Sequence, residues 1–343
     1  MVPPIFARRY DIDVPLGTGA NGVVWKAHDN NLNRDVAIKF FGPGTVPGLV
    51  FREAQLHVTL AGSHVLPVYD ATVYNDVPFI VSAVAPHGSA MDRAFGTPGV
   101  RVDTAIRWTR HLLTGLDACH KNDLLHRDVK PGNLFLMSDD TAALGDFGLL
   151  DRMTGGVAPD LGTPAFKPPE VLTSGVMNVQ SDVYASGLTM WMLLTGAHPF
   201  IAPSTDAADF PALIARGVPR LRDVAPHVPS QVATVVETAC AVGPADRYAT
   251  AAAMDHALGN LPKFARLWQE KPPLAGEHRR FESTAKVSES HGFTVVVSAN
   301  GTTYDMETRK SGGSLMRSKS HCINSVAPKQ LPVRLRAIFN DLA

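Results

Sequence analysis

Two different periodicities divide the chain. Over the first ~85 residues, short β-branched and aromatic runs are separated by Gly, Pro and Asn, the pattern of a small antiparallel sheet. Val23–Ala27 and Asp35–Phe41 read as neighbouring strands within it. Helical spacing takes over afterwards, following an earlier helical segment from Phe51 to Leu60. Between Thr104 and Cys119 the apolar residues Ile106, Leu112, Leu113, Leu116 and Cys119 predict one buried helix face. The run from Val183 to Leu194 is apolar all round and reads as a buried helix, shorter than the ~20 residues that span a bilayer. Near the end, Phe293–Ala299 and Thr302–Met306 flank Asn300-Gly301, a strong hairpin signal, and Pro332–Leu342 predicts a terminal helix. The expected class is α+β with two lobes, followed by a small accessory region.

Candidate chemistry lies at the junction of the two patterns. Asp128, Lys130 and Asn133 fall within His126-Arg127-Asp128-Val129-Lys130-Pro131-Gly132-Asn133, and Asp146-Phe147-Gly148 follows. Phosphoryl transfer requires a carboxylate near the attacking hydroxyl, a cation near the moving phosphate and oxygen ligands for hard metal ions. These four residues match those needs. Upstream, Leu16-Gly17-Thr18-Gly19-Ala20-Asn21-Gly22-Val23-Val24 places three glycines where backbone N–H groups can approach phosphate oxygens. The same spacing opens dinucleotide-binding folds, but there a helix follows, whereas Val23–Ala27 favours a strand. Lys39 sits alone in an apolar strand and needs an anionic partner, for which Glu53 is the candidate.

Taken in order, these motifs resemble the eukaryotic-like (Hanks-type) serine/threonine protein kinases over residues 8 to 265. Gly162-Thr163-Pro164-Ala165-Phe166-Lys167-Pro168-Pro169-Glu170 is similar to the segment ending in Ala-Pro-Glu, and Ser181-Asp182-Val183-Tyr184-Ala185-Ser186-Gly187 to the buried aspartate motif. Arg247 stands where the family pairs an arginine with that glutamate. The resemblance implies a kinase N-lobe over 1–83, a C-lobe over 84–268, and an accessory region of unassigned role over 269–343. It implies ATP and Mg²⁺, with Mn²⁺ as the alternative metal, and transfer to Ser/Thr hydroxyls of protein substrates, with autophosphorylation. By the same resemblance Asp128, Lys130, Lys39, Glu53 and Thr163 are catalytic and Asn133 and Asp146 hold metal. Leu16, Gly17, Gly19, Gly22, Val24, Ala37, Lys39, Ala83 and Ala85 bind nucleotide. Two other classes share part of this pattern. A pseudokinase scaffold usually lacks one of Lys39, Asp128 or Asp146, all present here; a small-molecule kinase would not need the Gly162–Glu170 segment.

Some positions depart from the family. Aligned on the hinge, Ser82 stands at the rear of the pocket and Ala83 where an acid is common, so adenine contacts there fall to backbone groups. His57 replaces an apolar residue four positions after Glu53, either as a satisfied, partly exposed residue or in a pH-sensitive packing role. Between Gly148 and Pro168 the only hydroxyl residues are Thr154 and Thr163. Arg127 then implies either a pocket for phosphorylated Thr154 or a segment that orders itself without phosphate.

Composition narrows the setting. The 343 residues are 45% hydrophobic, enough for a large core, and the formal net charge of zero weighs against a dedicated nucleic-acid binder. Cys119, Cys240 and Cys322 are too few and too scattered for a disulfide framework or a zinc site, which points to a reducing cytoplasm. The N-terminus lacks the long apolar stretch of a secretory peptide and no run suggests a membrane span. His111 and His120 read as packing or surface residues. Lys271–Gly276, with two prolines and a glycine, reads as a linker. Arg279, Arg280, Arg309, Lys310, Arg317 and Lys319 make the region from 271 onward basic: a solvated face, or a surface for nucleic acid or another acidic partner.

Overall fold

A computed structural model describes residues 9–343 apart from 20–21, 43, 61, 63, 160–161, 202–205, 207–208, 286–290, 312, 317 and 319; Arg317 and Lys319 therefore lie outside the described residues. The first lobe is a five-stranded antiparallel sheet of β1 (Tyr10–Gly19), β2 (Gly22–Asp29), β3 (Arg34–Phe40), β4 (Val68–Tyr74) and β5 (Val77–Ala83), in the order β1-β2-β3-β5-β4. Helix α1 (Pro47–Thr59) packs against it, and Pro47 suits the first turn because its missing N–H would have no partner there. Alternation on β3 buries Val36, Ile38 and Phe40 against Tyr10, Phe79 and Val81. The opposite face carries Ala37 and Lys39, with Ser82 and Ile80 directly across on β5 and Val24 across from Lys39 on β2. One register thus lines a single surface with Val24, Ala37, Lys39 and Ser82. Ala83 pairs with Val36, so its side chain lies on the other face and only its backbone borders that surface.

Gly17 and Gly19 have open space above them, whereas Gly22 is confined. At φ +140°, a Cβ on Gly22 would approach the Phe40 carbonyl oxygen to 1.9 Å. Gly22→Ala must therefore strain the backbone or part β2 from β3, at about 2 kcal/mol or more. Thermal melts of the full chain check this, with an unchanged midpoint counting against so close an approach.

The second lobe is helical, with α2 (Ala90–Ala94), α3 (Val102–Lys121), α4 (Pro169–Ser174), α5 (Val179–Thr195), α6 (Phe210–Ala215), α7 (Leu221–Val224), α8 (Ser230–Ala239) and α9 (Ala251–Gly259). Helix α5 is buried along nearly its whole length, as its uniform hydrophobicity requires, and an Asn178–Ser181 capping box starts it. Helix α3 buries Val102, Ala105, Trp108, Leu112, Leu113, Leu116 and Cys119 on one face, while Ile106, expected there, is only half-buried at its edge. Three short ladders hold the connecting segments: β6 (Leu124–Leu125) with β9 (Asp151–Arg152), β7 (Leu134–Leu136) with β8 (Ala142–Leu144), and β10 (Val157–Pro159) with β11 (Val176–Asn178).

The accessory region forms a second antiparallel sheet, β12 (Trp268–Lys271), β13 (Arg279–Ser283), β14 (Phe293–Asn300), β15 (Thr303–Lys310) and β16 (Ile323–Val326), in sequential order, with α10 (Leu331–Asp341) on one face. Trp268, Phe281, Phe293, Val295, Val297, Met306, Leu335, Ile338 and Phe339 close its own core. The hairpin forms, but Asn300 ends its strand paired with Thr303, so the turn is made by Gly301 and Thr302 and lies one position later than expected. The segment read as a linker instead ends one strand and turns into the next: Lys271 pairs with Arg280, and the prolines at 272 and 273 stop β12 because they cannot donate to a ladder. The unit docks on the helical lobe through Arg336, which donates to the Arg222 carbonyl at 2.8 Å and pairs with Asp223 at 2.7 Å. His227 lies against the Phe281 ring, 5.6 Å between centroids. Arg279, Arg280 and Arg309 are each paired, with Glu270, with Glu277 and Glu282, and with Glu307. Among the described residues, no helix is long and apolar enough to cross a membrane.

Candidate active site

Asp128 follows β6 and Asp146 follows β8, so both emerge from the helical lobe beside the Lys39 face of the first sheet. Lys39 Nζ donates to Asp146 Oδ1 at 2.8 Å and to Glu53 Oε1 at 3.3 Å. Burial disfavours the ammonium, but the charges of Asp146 and Glu53 outweigh it and raise the Lys39 pKa. Glu53 is pushed upward by burial and by sharing its one lysine with a second carboxylate. The expected Lys39–Glu53 pair therefore forms, with Asp146 as a third member.

Asp128 is the hub of a second cluster. Its Oδ1 accepts from the Thr163 N–H at 3.0 Å and from Thr163 Oγ1 at 2.7 Å. Its Oδ2 accepts from Lys130 Nζ at 2.7 Å and from Asn133 Nδ2 at 3.1 Å. Lys130 Nζ also donates to Thr163 Oγ1 at 2.9 Å. Burial raises the carboxyl, yet the Lys130 and Thr163 hydrogen bonds hold it below the usual carboxylate range. Thr163 can come this close because Gly162 precedes it. At φ +95°, any Cβ there would lie 2.2 Å from the Arg127 carbonyl oxygen.

Strained backbone marks both clusters: Arg127 and Asp146 have φ of 66° and 56°. A buried framework fixes them. Asp182 accepts from the N–H groups of His126 and Arg127, each at 3.0 Å, and from His120 Nε2 at 2.9 Å. Burial works against ionising Asp182, and the His120 hydrogen bond leads the contacts that keep its pKa low. His120 is thus a buried partner of the framework; its place on the last turn of an amphipathic helix was the only clue, and it does not name a partner. His126 Nδ1 accepts from the Asp128 N–H, which places its proton on Nε2, donated to the Gly145 carbonyl at 3.2 Å. Arg247 donates two bonds to Glu170, at 2.7 and 2.8 Å, as the family resemblance implied.

His57 is buried. Its Nε2–H donates to the Leu66 carbonyl at 2.6 Å and its ring lies 4.2 Å from that of Phe147, which lies 5.1 Å from His126. Burial lowers its pKa to about 4, so the ring is neutral at physiological pH. The unfolded chain takes up this proton near 6.5 and the folded chain only near 4. Stability from His57 is full above about 6.5 and falls as pH drops toward 4. His57→Leu should therefore lessen the decrease in melting temperature between pH 7.5 and pH 5, while an identical decrease in both proteins would show that His57 contributes nothing to it.

Comparison with known proteins agrees with this geometry. The protein kinase domain model matches residues 10–258. Serine/threonine-protein kinase PknL of Mycobacterium tuberculosis is 33% identical over 286 residues, covering 81% of this chain and 71% of PknL. Serine/threonine-protein kinase PknB of Mycolicibacterium smegmatis is 30% identical over 267 residues, 74% of this chain and 43% of PknB. A probable serine/threonine-protein kinase, pknA2 of Bifidobacterium longum, is 27% identical over 299 residues, 81% of this chain and 39% of that protein. The chain belongs to the protein kinase family, as a Hanks-type serine/threonine kinase.

Proposed function

We propose that the cleft between the lobes transfers the γ-phosphoryl group of ATP to Ser and Thr hydroxyls of proteins, with Asp128 as the residue that orients and deprotonates the acceptor. The observation that carries this reading is the cluster of Asp128 with Lys130, Asn133 and Thr163: a carboxylate held by four donors, one of them the Lys130 ammonium. Lys130 neutralises charge on the moving group, and Thr163 fixes the carboxylate. Lys39, kept in place by Glu53, contacts the α- and β-phosphates. Gly17, Gly19 and Gly22 cover the phosphates, with Leu16, Val24 and Ala37 around the base. Ala83 N–H is already donated to the Pro67 carbonyl at 2.9 Å, so the Ala85 N–H is the adenine donor in this reading.

The residues present fit Mg²⁺. Asn133 spends its Nδ2 on Asp128, leaving Oδ1 as a ligand, and Asp146 engages Lys39 through Oδ1, leaving Oδ2. Among the described residues no three His, Cys, Asp or Glu side chains form a metal-binding group, and a two-oxygen site completed by phosphate and water is the usual arrangement for magnesium. Mg²⁺, or Mn²⁺ on the same oxygens, supplies charge neutralisation of the phosphates when bound. All three cysteines are free, which supports a reducing, cytoplasmic setting. Ion pairing of Arg279, Arg280 and Arg309 supports a structural role for residues 271–343 over nucleic-acid binding.

Incubation with radiolabelled ATP, Mg²⁺ or Mn²⁺ and generic protein substrates tests this reading. Label on phosphoserine and phosphothreonine is expected; no transfer with either metal would overturn it.

A further inference from the structure

Arg127 lies next to the proposed base, and its side chain is buried. Its Nε donates to the Leu149 carbonyl at 2.6 Å, and its Nη2 lies 3.5 Å from Asp151 Oδ2. The other Asp151 oxygen, Oδ1, accepts from Arg52 Nη2 of α1 at 3.2 Å and from the Arg152 N–H at 2.9 Å. One carboxylate therefore joins three parts of the active site. They are the segment bearing Asp128, the start of the segment leading to Thr163, and the helix bearing Glu53.

The backbone reinforces this placement. Asp151 pairs with Leu125 in the β6–β9 ladder, immediately before His126 and Arg127. Arg52 is the neighbour of Glu53, so α1 is tied to the helical lobe through Asp151 and to Lys39 through Glu53 at consecutive positions. Thr154, by contrast, is exposed in a tight turn, its N–H donated to the Val157 carbonyl at 2.8 Å. A phosphate brought from Thr154 to Arg127 would carry a charge of about −1.5 to −2 to a site where Asp151 already supplies an anion. Like charges would then share one arginine.

We propose that Asp151 is a positioning residue that does permanently what a phosphorylated activation segment would do. It holds Arg127 and Arg52 in their active arrangement, so catalysis is independent of phosphate on Thr154. This rests on the kinase reading and deepens it. The Arg127 contact is the stronger arm, because that side chain is 5% exposed; Arg52 is 60% exposed, where a salt bridge contributes little.

The test uses the full chain, freed of phosphate by phosphatase and verified by intact mass, alongside Thr154→Val, Asp151→Asn and Arg52→Gln. Transfer by the untreated wild type establishes the kinase reading separately, so a later loss bears on Asp151 alone. Initial rates of substrate labelling, taken before autophosphorylation accumulates, should keep at least about half of the untreated kcat in the phosphate-free wild type and in Thr154→Val. Asp151→Asn should lower kcat about tenfold, with KM for ATP changing less, because misplacement of reacting groups acts on the chemical step. Its amides in 151–158 and along α1 should exchange hydrogen faster. Arg52→Gln, at a surface position where folding is not at risk, should lower kcat about twofold. An inactive phosphate-free wild type that recovers as Thr154 is phosphorylated would overturn the proposal, and so would an unchanged kcat in Asp151→Asn. Should Asp151→Asn fail to fold, the phosphate-free wild type and Arg52→Gln decide the matter: full dependence on phosphate, or Arg52→Gln at the wild-type kcat, overturns it.

Discussion

Asp128→Asn should lower kcat by about 10³ while leaving the dissociation constant for ATP within about threefold of wild type. The substitution preserves shape and several contacts. An Asn oxygen at Oδ1 can still accept from the Thr163 N–H and Oγ1, now at 3.0 and 2.7 Å. What disappears is the negative charge, the capacity to take a proton and the Oδ2 acceptor for Lys130 and Asn133, where an amide NH2 would now stand. Nucleotide binding draws on different groups, with Lys39 paired to Glu53 and Asp146 across the cleft. Steady-state kinetics with a protein substrate, together with calorimetric titration of a non-hydrolysable ATP analogue, separate the two quantities. A kcat within tenfold of wild type would show that Asp128 does not act on the acceptor hydroxyl.

Chemistry that leaves a residue few alternatives was legible in the sequence. A lone lysine in an apolar strand has to find an anion, and Lys39 finds two. Asp128, Lys130 and Asn133 lie within six positions of one another, so short-range geometry alone brings them together. The hairpin was legible because glycine supplies the left-handed backbone that a two-residue turn demands: Gly301 has φ of 59° and makes the turn with Thr302. Pairings between distant segments were not legible. Nothing local distinguishes Asp151 from a solvated surface acid, and Arg52 and Arg127 lie far from it in sequence. The flanking strands of the accessory sheet were hidden for a related reason. In β13, Phe281 sits among Arg279, Arg280 and Glu282, charged residues whose ion pairs, with Glu270 and Glu277 outside the strand and between Arg280 and Glu282 within it, are what let them lie on a sheet. In β12 only four residues precede the prolines, too few for alternation to be read.

Arg247→Met should give the largest loss of stability of any single substitution considered, about 3–5 kcal/mol, as expected when one member of a buried ion pair is removed. The Arg247 side chain is fully buried, and besides Glu170 it donates to the carbonyls of Ala241, Val242 and Gln180 at 2.7, 2.9 and 3.3 Å. Its guanidinium also lies 4.8 Å from the Tyr184 ring centre. Methionine fills much of the volume, so the loss measures missing donors more than a cavity. Glu170→Gln should be milder, about 1–2 kcal/mol, since an amide oxygen still accepts from the guanidinium and Glu170 is partly exposed. The double variant should then be more stable than the sum of the two losses predicts, because once the arginine is absent the carboxylate has no partner left to lose. Denaturant unfolding of all four proteins measures this coupling. Because Glu170 opens α4 directly after the Thr163 segment, Arg247→Met should also lower kcat at temperatures where the protein remains folded. A melting temperature unchanged within about 2 °C would show that the pair adds nothing to the lobe, since a loss of even 1 kcal/mol moves the midpoint by about that much.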